Sequence, residues 1–410
     1  MHDQRLSCER RRGRCARGAT LLLVPSIDPD AVYGSFFEDA NLDQHIQDPT
    51  ELYQRVAGRF VCSHAVASAV LRDPRTGSEP ATRPSRPLWD LVQRWLITRD
   101  PPDHTAIRSL VSRAFTRPAV RIYETQIRGI VSRLLDEIAP RKAMDLVAEF
   151  ATPLPSEVIE GVMGLDDVER DGLRQLLRTL ETCFVNQHDR ELVDDGERAM
   201  IELYERFERM IDKRLSTPGD DLLSRYAVGG REAGVDHVDL VSNAVFLAFA
   251  GQDSTRNALG SLVFELLRHP DQLALLRAEP ERYAASAVEE ALRYHPPIYG
   301  APRWPRDEID VGEGTLPPRK MIDFLFGPAN RDAAVFSEPD RFDITRSPNP
   351  HLSFAVGPHH CAGAPLARLE LQIAITSMLQ GLPGLRLISE PRWKSLVPFR
   401  GLAELRIAWD

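Results

Sequence analysis

The sequence predicts a mainly α fold with small β-sheets, arranged as one helix-rich domain, and three observations predict it. Apolar residues recur at helical spacing through most of residues 101–295. One segment in that region, residues 238–268, runs without a proline. After Pro296-Pro297 the pattern changes to short β-prone pieces, and a last apolar-periodic run follows near the C-terminus.

Helical spacing is plainest over 103–115, 120–138, 157–163 and 167–184, with Pro and Gly punctuating the gaps. Residues 238–268 contain Gly251 and Gly260, and as a single helix they would span roughly 46 Å, enough to cross the domain. Downstream, 308–311 and 320–326 are β-prone and are separated by Gly312, Gly314, Pro317 and Pro318, which reads as a small sheet region. A Pro- and Asp-rich irregular stretch over 328–350 leads to a final helix at 364–379. No repeat or low-complexity linker divides the chain.

With 410 residues, 43% of them hydrophobic, the chain can fill a substantial core. The longest apolar run, 244–250, is far below the 18 or so residues of a membrane span, so no membrane crossing is expected. The first 18 residues sum to +4, with six arginines against Asp3 and Glu9, whereas the rest sums to −13. Leu21-Leu22-Leu23-Val24 after that basic start is too short for a signal-peptide core and ends at Pro25, so residues 1–27 read as a disordered basic tail. Arginine outnumbers lysine 47 to 4, yet a net charge of −9 repels nucleic acid, and none is expected as a partner. The five cysteines, Cys8, Cys15, Cys62, Cys183 and Cys361, are odd in number and scattered, which argues for a reducing, cytoplasmic setting.

One cysteine needs its own explanation. Phe354-Ala-Val-Gly-Pro-His-His-Cys361-Ala-Gly363 sets it between a Gly-Pro turn and the start of the last helix. Backbone amides and the positive end of a helix dipole there favour thiolate over thiol. Gly357 and Gly363 would let the backbone approach something flat and bulky. An arbitrary intracellular cysteine is more often a small core residue. A zinc site of His359, His360 and Cys361 is weaker still, because three consecutive residues do not readily converge on one tetrahedral ion.

Phe354, Gly357, His359, Cys361, Gly363, Leu366, Ala367 and Glu370 together reproduce a long and specific pattern, and the chain resembles the cytochrome P-450 superfamily, in its soluble bacterial-type form. The resemblance extends over nearly all of residues 28–410, which it identifies as the catalytic domain. It implies that haem b lies between the long central helix and the cysteine-loop helix, with Cys361 as the axial iron ligand. Glu290-Ala-Leu-Arg293 looks like the family's buried E-x-x-R pair, whose third, basic member is best matched by Arg341 in Pro339-Asp-Arg-Phe. On residues alone such a pair is most often a weak surface contact.

His104 and Arg108 stand four apart and form one cationic helix face. By the same resemblance they hold the haem propionates with Arg303 and His359, since arginine matches carboxylates bidentately. Ala250-Gly251-Gln252-Asp253-Ser254-Thr255 is similar to the oxygen-activation motif, with Gly251 giving room over the iron and Asp253 and Ser254 relaying protons. Here Ser254 stands where the family usually has threonine, and Thr255 follows about 100° further round the helix as a second candidate.

The resemblance further implies a cycle of substrate binding, two one-electron reductions, oxygen binding and protonation. The chain has no flavin or nicotinamide fingerprint and no iron-sulfur cysteine cluster, so electrons would come from a ferredoxin and its NAD(P)H-dependent reductase, docking near Arg113 and Arg368. The pocket would be lined by the 76–96 loop, 246–250, 298–301 and 398–401, with Trp89, Trp95, Phe246, Ala250, Ile298, Tyr299 and Phe399 as named candidates. The expected role is oxidation of a small organic substrate, in the tailoring of a secondary metabolite, by a monomeric enzyme. Two rivals stay open: oxidative coupling of aromatic rings, as on indoles or diketopiperazines, without oxygen insertion, and a non-catalytic haem protein that recruits a biosynthetic partner.

Overall fold

A computed structural model describes residues 61–79, 86–187, 189–298, 300–312, 315–394 and 399–410. The expected basic tail over 1–27, Cys8, Cys15, part of the 76–96 loop and Tyr299 lie outside these residues. Helices of six residues or more are numbered in chain order: α1 (His64–Val70), α2 (Pro87–Val92), α3 (Asp103–Ala114), α4 (Glu124–Ile138), α5 (Pro153–Val162), α6 (Leu173–Val185), α7 (Arg190–Ser216), α8 (Leu222–Glu232), α9 (His237–Ala250), α10 (Asp253–Arg268), α11 (Pro270–Ala278), α12 (Pro280–Tyr294) and α13 (Ala364–Gly381).

The strands are short. Thr76–Gly77 (β1), Gly300–Pro305 (β2) and Ile322–Leu325 (β3) form a three-stranded antiparallel sheet in the order β1-β2-β3, with Arg303 opposite Ile322. Small hairpin-like pairs join 309–310 to 315–316 and 392–393 to 402–404. The expectation of β-prone pieces at 308–311 and 320–326 is therefore met, while β2 was not legible because Pro302 and Pro305 argue against a strand.

Helix boundaries follow local chemistry. Asp236 caps α9 by accepting from the amides of Val238 and Asp239. Pro280 opens α12, and Pro365 stands in the first turn of α13. The run at 167–184 divides at Gly172, whose φ of +68° is the left-handed conformation that ends one short helix before α6 begins. One large apolar core spans most helices, and a smaller one lies between α1 and the β1-β2-β3 sheet.

The expected unbroken helix over 238–268 is corrected. It is two helices, α9 and α10, interrupted at Gly251 and Gln252, where Gln252 has φ −102° and ψ −68°. The amide of Gln252 bonds to the Phe249 carbonyl instead of continuing the regular ladder. The Ala248 carbonyl takes the Gln252 side-chain amide at 3.1 Å, and the Ala250 carbonyl takes the Ser254 hydroxyl at 3.4 Å. Side chains thus satisfy groups that the break releases. Both α9 and α10 are buried on nearly every side, and α10 packs against α12 and α13.

Candidate active site

The cysteine loop is held by short-range backbone bonds. The Cys361 amide donates to the Phe354 carbonyl at 2.8 Å, and the His360 amide donates to the Gly357 carbonyl at 3.1 Å. Cys361 is solvent-exposed yet densely surrounded by protein. That enclosure raises its pKa, while the amides of Gly363 and Ala364 and the guanidinium groups of Arg108 and Arg368 pull the other way. The amides at the head of α13 thus favour the charged form of the sulfur, against the burial that disfavours it.

Two glycine assignments change. Gly357 has φ +79°, and a Cβ there would lie 2.3 Å from the Leu71 carbonyl, so this glycine lets the loop pack on the end of α1. A Cβ at Gly251 would lie 2.9 Å from Ile159 Cγ1, so its lack of a side chain serves the packing of α5 rather than clearance over a cofactor. Ala250 is the small residue on the accessible face, four residues from Phe246 and from Ser254. Beside Gly363 there is open space, as a flat neighbour would need.

The four expected propionate donors do come together. The His104 and His359 rings are 4.3 Å apart, and Arg108 and Arg303 act electrostatically on both. Burial, then His359 and Arg108, pushes the His104 pKa down to about 4. Burial pushes Arg303 down to about 10, against the pull of Asp100. Arg303 donates only to the Pro302 carbonyl, and His104 Nε2 has no partner among the described residues. His359 leans on Asp100 at 3.8 Å, which itself is held by the Ser78 amide and by Arg306. Several buried cationic or donor groups thus crowd one place with one carboxylate between them, an arrangement that an incoming pair of carboxylates would relieve.

The underside of the loop contrasts with this. Arg293 donates through Nε and Nη2 to Glu290 at 2.8 Å each, and its remaining N–H groups reach the carbonyls of Asn330, Pro339 and Arg341, so all five donors are used. Glu290 also accepts from the Asp343 amide, Asn349 and Arg346. Arg341 is therefore corrected: it contributes its carbonyl, while its side chain is exposed beside Glu338, and Arg346 is the third member of the clamp. The 337–346 turn folds back so that Arg346, five residues later, points inward and also binds the carbonyls of Ser337, Glu338 and Arg341.

A second brace went unread in the sequence. Arg368 makes two 2.7 Å bonds to Glu289 and lies over the Phe354 ring at 4.4 Å, tying α12 to the cysteine loop. Burial alone would raise Glu289, but Arg368 and His351 bring its pKa down to about 2. Arg368 is thus engaged internally rather than displayed for docking, whereas Arg113 is exposed.

At the helix break Asp253 and Ser254 diverge. Ser254 is half-buried on the face of Ala250. Asp253 is buried against Arg256 at 2.8 Å and against Glu181 of α6, and burial pushes its pKa up to about 7. Thr255 is buried as well. Of the expected pocket residues, Ile298 and Phe399 are bridged side by side, and Phe246 stacks on Trp95 at 5.1 Å. Trp89 packs on Phe184, which with Phe249 completes an aromatic wall that the sequence reading saw only in part.

The comparisons with known proteins agree with this geometry. The Cytochrome P-450 family profile matches residues 59–382, and the chain belongs to the cytochrome P-450 family. It is 34% identical over 363 residues to the biotin biosynthesis cytochrome P-450 of Bacillus subtilis, covering 87% of this chain and 92% of that one. It is also 34% identical to the mycinamicin IV hydroxylase/epoxidase of Micromonospora griseorubida, over 83% of this chain and 87% of the relative. Among solved structures it is similar to P450BioI in complex with an acyl carrier protein ligated to hexadec-9Z-enoic acid, with a TM-score of 0.81, 34% identity, and coverage of 86% and 92% of the two chains.

The chain is accordingly an oxidoreductase of the monooxygenase class whose cofactor is haem b held by a cysteine thiolate. The residues described above fit that group: an enclosed sulfur at a helix head, open space beside Gly363, and buried donors lacking an anion. No helix among the described residues is long and apolar enough to cross a membrane.

Proposed function

We propose that the chain tailors a secondary metabolite by inserting oxygen into a small organic substrate, with Cys361 as the residue whose sulfur would hold the haem and residues 28–410 as the catalytic unit. The observation that carries this reading is the pairing of an enclosed thiol at the head of α13 with a nearby cluster of His104, Arg108, Arg303 and His359 whose buried His104 Nε2 has no partner among the described residues. Arg108 and Arg303 would hold the two carboxylate tails of the haem, and His104 and His359 would complete the donor set. When bound, the haem supplies oxygen activation driven by two electrons.

The protein's own part is to position and protonate. The amides of Gly363 and Ala364 favour negative charge on Cys361, against its burial. Ser254, bonded back to the Ala250 carbonyl, presents a hydroxyl on the accessible face, and Asp253 behind it stores the proton to be delivered. Thr255 is a lesser candidate, since its side chain is buried. Phe246, Ala250, Ile298 and Phe399 shape the substrate space, and Trp89 stiffens its wall. A ferredoxin with its NAD(P)H-dependent reductase supplies electrons, and Arg113, which is exposed, is a candidate contact for it. The enzyme works as a cytoplasmic monomer.

A second reading, ring coupling without oxygen insertion, is favoured by the wall of Trp95, Phe184, Phe246 and Phe249, which suits a flat aromatic ligand. A panel of macrolides, indoles and diketopiperazines, screened by the Soret shift on binding and then turned over under labelled oxygen, separates the readings. Label in the product supports insertion. A coupled product without label supports ring coupling, and binding without turnover supports the recruiting role. Asp253→Asn and Ser254→Ala should release more hydrogen peroxide per reducing equivalent; unchanged coupling in both removes the relay assignment.

A further inference from the structure

Helix α6 brings to the back of the helix break an acid that the oxygen-activation motif does not contain. Glu181 Oε1 accepts from Arg256 Nη2 at 2.8 Å and from Lys394 Nζ at 3.2 Å. The same Arg256 nitrogen reaches Asp253 Oδ1 at 2.8 Å. Asp253 and Glu181 thus share one guanidinium nitrogen, and each acts on the titration of the other. Both side chains are less than one-fifth exposed.

The two acids are not equivalent. Burial would raise both, but Glu181 has two cations close by, and Arg256 and Lys394 bring it below the ordinary carboxylate value. Asp253, more deeply enclosed, goes up to about 7. The charge is therefore favoured on Glu181 and the proton on Asp253. Thr152, Ser156, Gln252, Arg178 and the two acids line a crevice with room of about 10 Å³ for water centres, close to what one water needs. Gln252 is locked there by the Ser156 hydroxyl at 3.0 Å and by the Ala248 carbonyl. The titratable and charged groups facing this space are Asp253 and Arg256 from α10 and Glu181 and Arg178 from α6, with Lys394 reaching Glu181 from the strand end; Ser156 of α5 and Thr152 before it offer hydroxyls.

We propose that Glu181 is the outer carboxyl of the proton entry: it exchanges one proton with Asp253 and reloads Asp253 from water in the α5–α6–α10 crevice. The proposal rests on the reading of Asp253 and Ser254 as the relay and adds the step behind it. Only O–H bonds change: Asp253 gives its proton toward Ser254, water in the crevice gives one to the carboxyl pair, bulk solvent restores that water, and no electrons move. Phe184, three residues beyond Glu181 on the same helix, packs on Trp89 and Trp95, so one element carries both the relay acid and part of the pocket wall.

The test uses haem-loaded enzyme and two readouts: infrared titration of the carboxylic-acid carbonyl band, and the pH profile of guaiacol oxidation driven by hydrogen peroxide. In the wild type, the component of the band that is lost in Asp253→Asn should titrate near neutrality; buried Asp323, also raised to about 7, contributes a component that this variant leaves in place. Glu181→Gln should move the midpoint of the Asp253 component to lower pH by about 1–3 units, because a neighbouring negative charge is gone and both cations then serve Asp253. The guaiacol profile should move with it, and Glu181→Asp should restore part of both shifts. An unmoved band and profile in Glu181→Gln, with Asp253→Asn still altering the profile, overturns the role of Glu181 alone. A profile that Asp253→Asn leaves unchanged instead removes the relay on which the proposal rests.

Discussion

The two sides of the cysteine loop differ in how their charges are partnered. Beneath it, Glu290, Arg293 and Arg346 form a closed network in which every donor of Arg293 is used. Beside it, His104, Arg108, Arg303 and His359 crowd together with unmet capacity, and both histidines are held below their ordinary pKa. Buried polar groups are costly unless satisfied. A network satisfied within the chain is explained by folding, whereas one left short of anions is one that a ligand's carboxylates would complete. The E-x-x-R pair and the H-x-x-x-R pair look alike as sequence, and only their surroundings separate structure from binding.

Breaking the closed side should have the largest effect. Arg293→Ala leaves Glu290 buried without its main partner and should cost about 3–5 kcal/mol, seen as a large loss of soluble folded protein or of denaturation midpoint. Normal stability would contradict the closed-network account. On the open side, Arg108→Ala or Arg303→Ala should leave folding nearly intact but weaken haem retention. Losing a charge-assisted bond worth about 1.5–3 kcal/mol corresponds to roughly 10- to 100-fold faster transfer of haem to apomyoglobin. Equal loss of stability in these variants would erase the contrast between the two sides.

Titration sharpens the same comparison. His104 drops from 6.5 to about 4 in the folded chain, so between those pH values the unfolded state binds the extra proton. Stability of the haem-free protein should therefore fall as pH falls through that window, and His104→Gln should flatten the dependence. Bound carboxylates would favour protonated histidine, so haem loading should also flatten it. The smallest effect is expected at Glu289 and Arg368, which are more than a quarter exposed. Glu289→Gln should cost about 1 kcal/mol or less, read from urea midpoints.

What was legible in the sequence was what is contiguous. Cys361 with its flanking Phe354 and Gly363 lies within ten residues, and His104 with Arg108 needs only one helix to share a face. Arg346 was missed in favour of Arg341 because the choice depends on how 337–346 folds back, which periodicity does not encode. The break between α9 and α10 arises from the dihedrals of Gln252, and an apolar pattern that continues on both sides conceals it. Glu181, Glu289 and Phe184 act across the fold, and Gly251 answers to Ile159, so none of these could be read from its own segment.

The central claim is that the sulfur of Cys361, ionised at the head of α13, binds the haem iron. It is tested most directly by reducing the haem-loaded protein under carbon monoxide. The strongly red-shifted Soret band of thiolate ligation should form in the wild type and be lost in Cys361→Ala. Its absence from the wild type, or its persistence in the variant, would contradict the assignment.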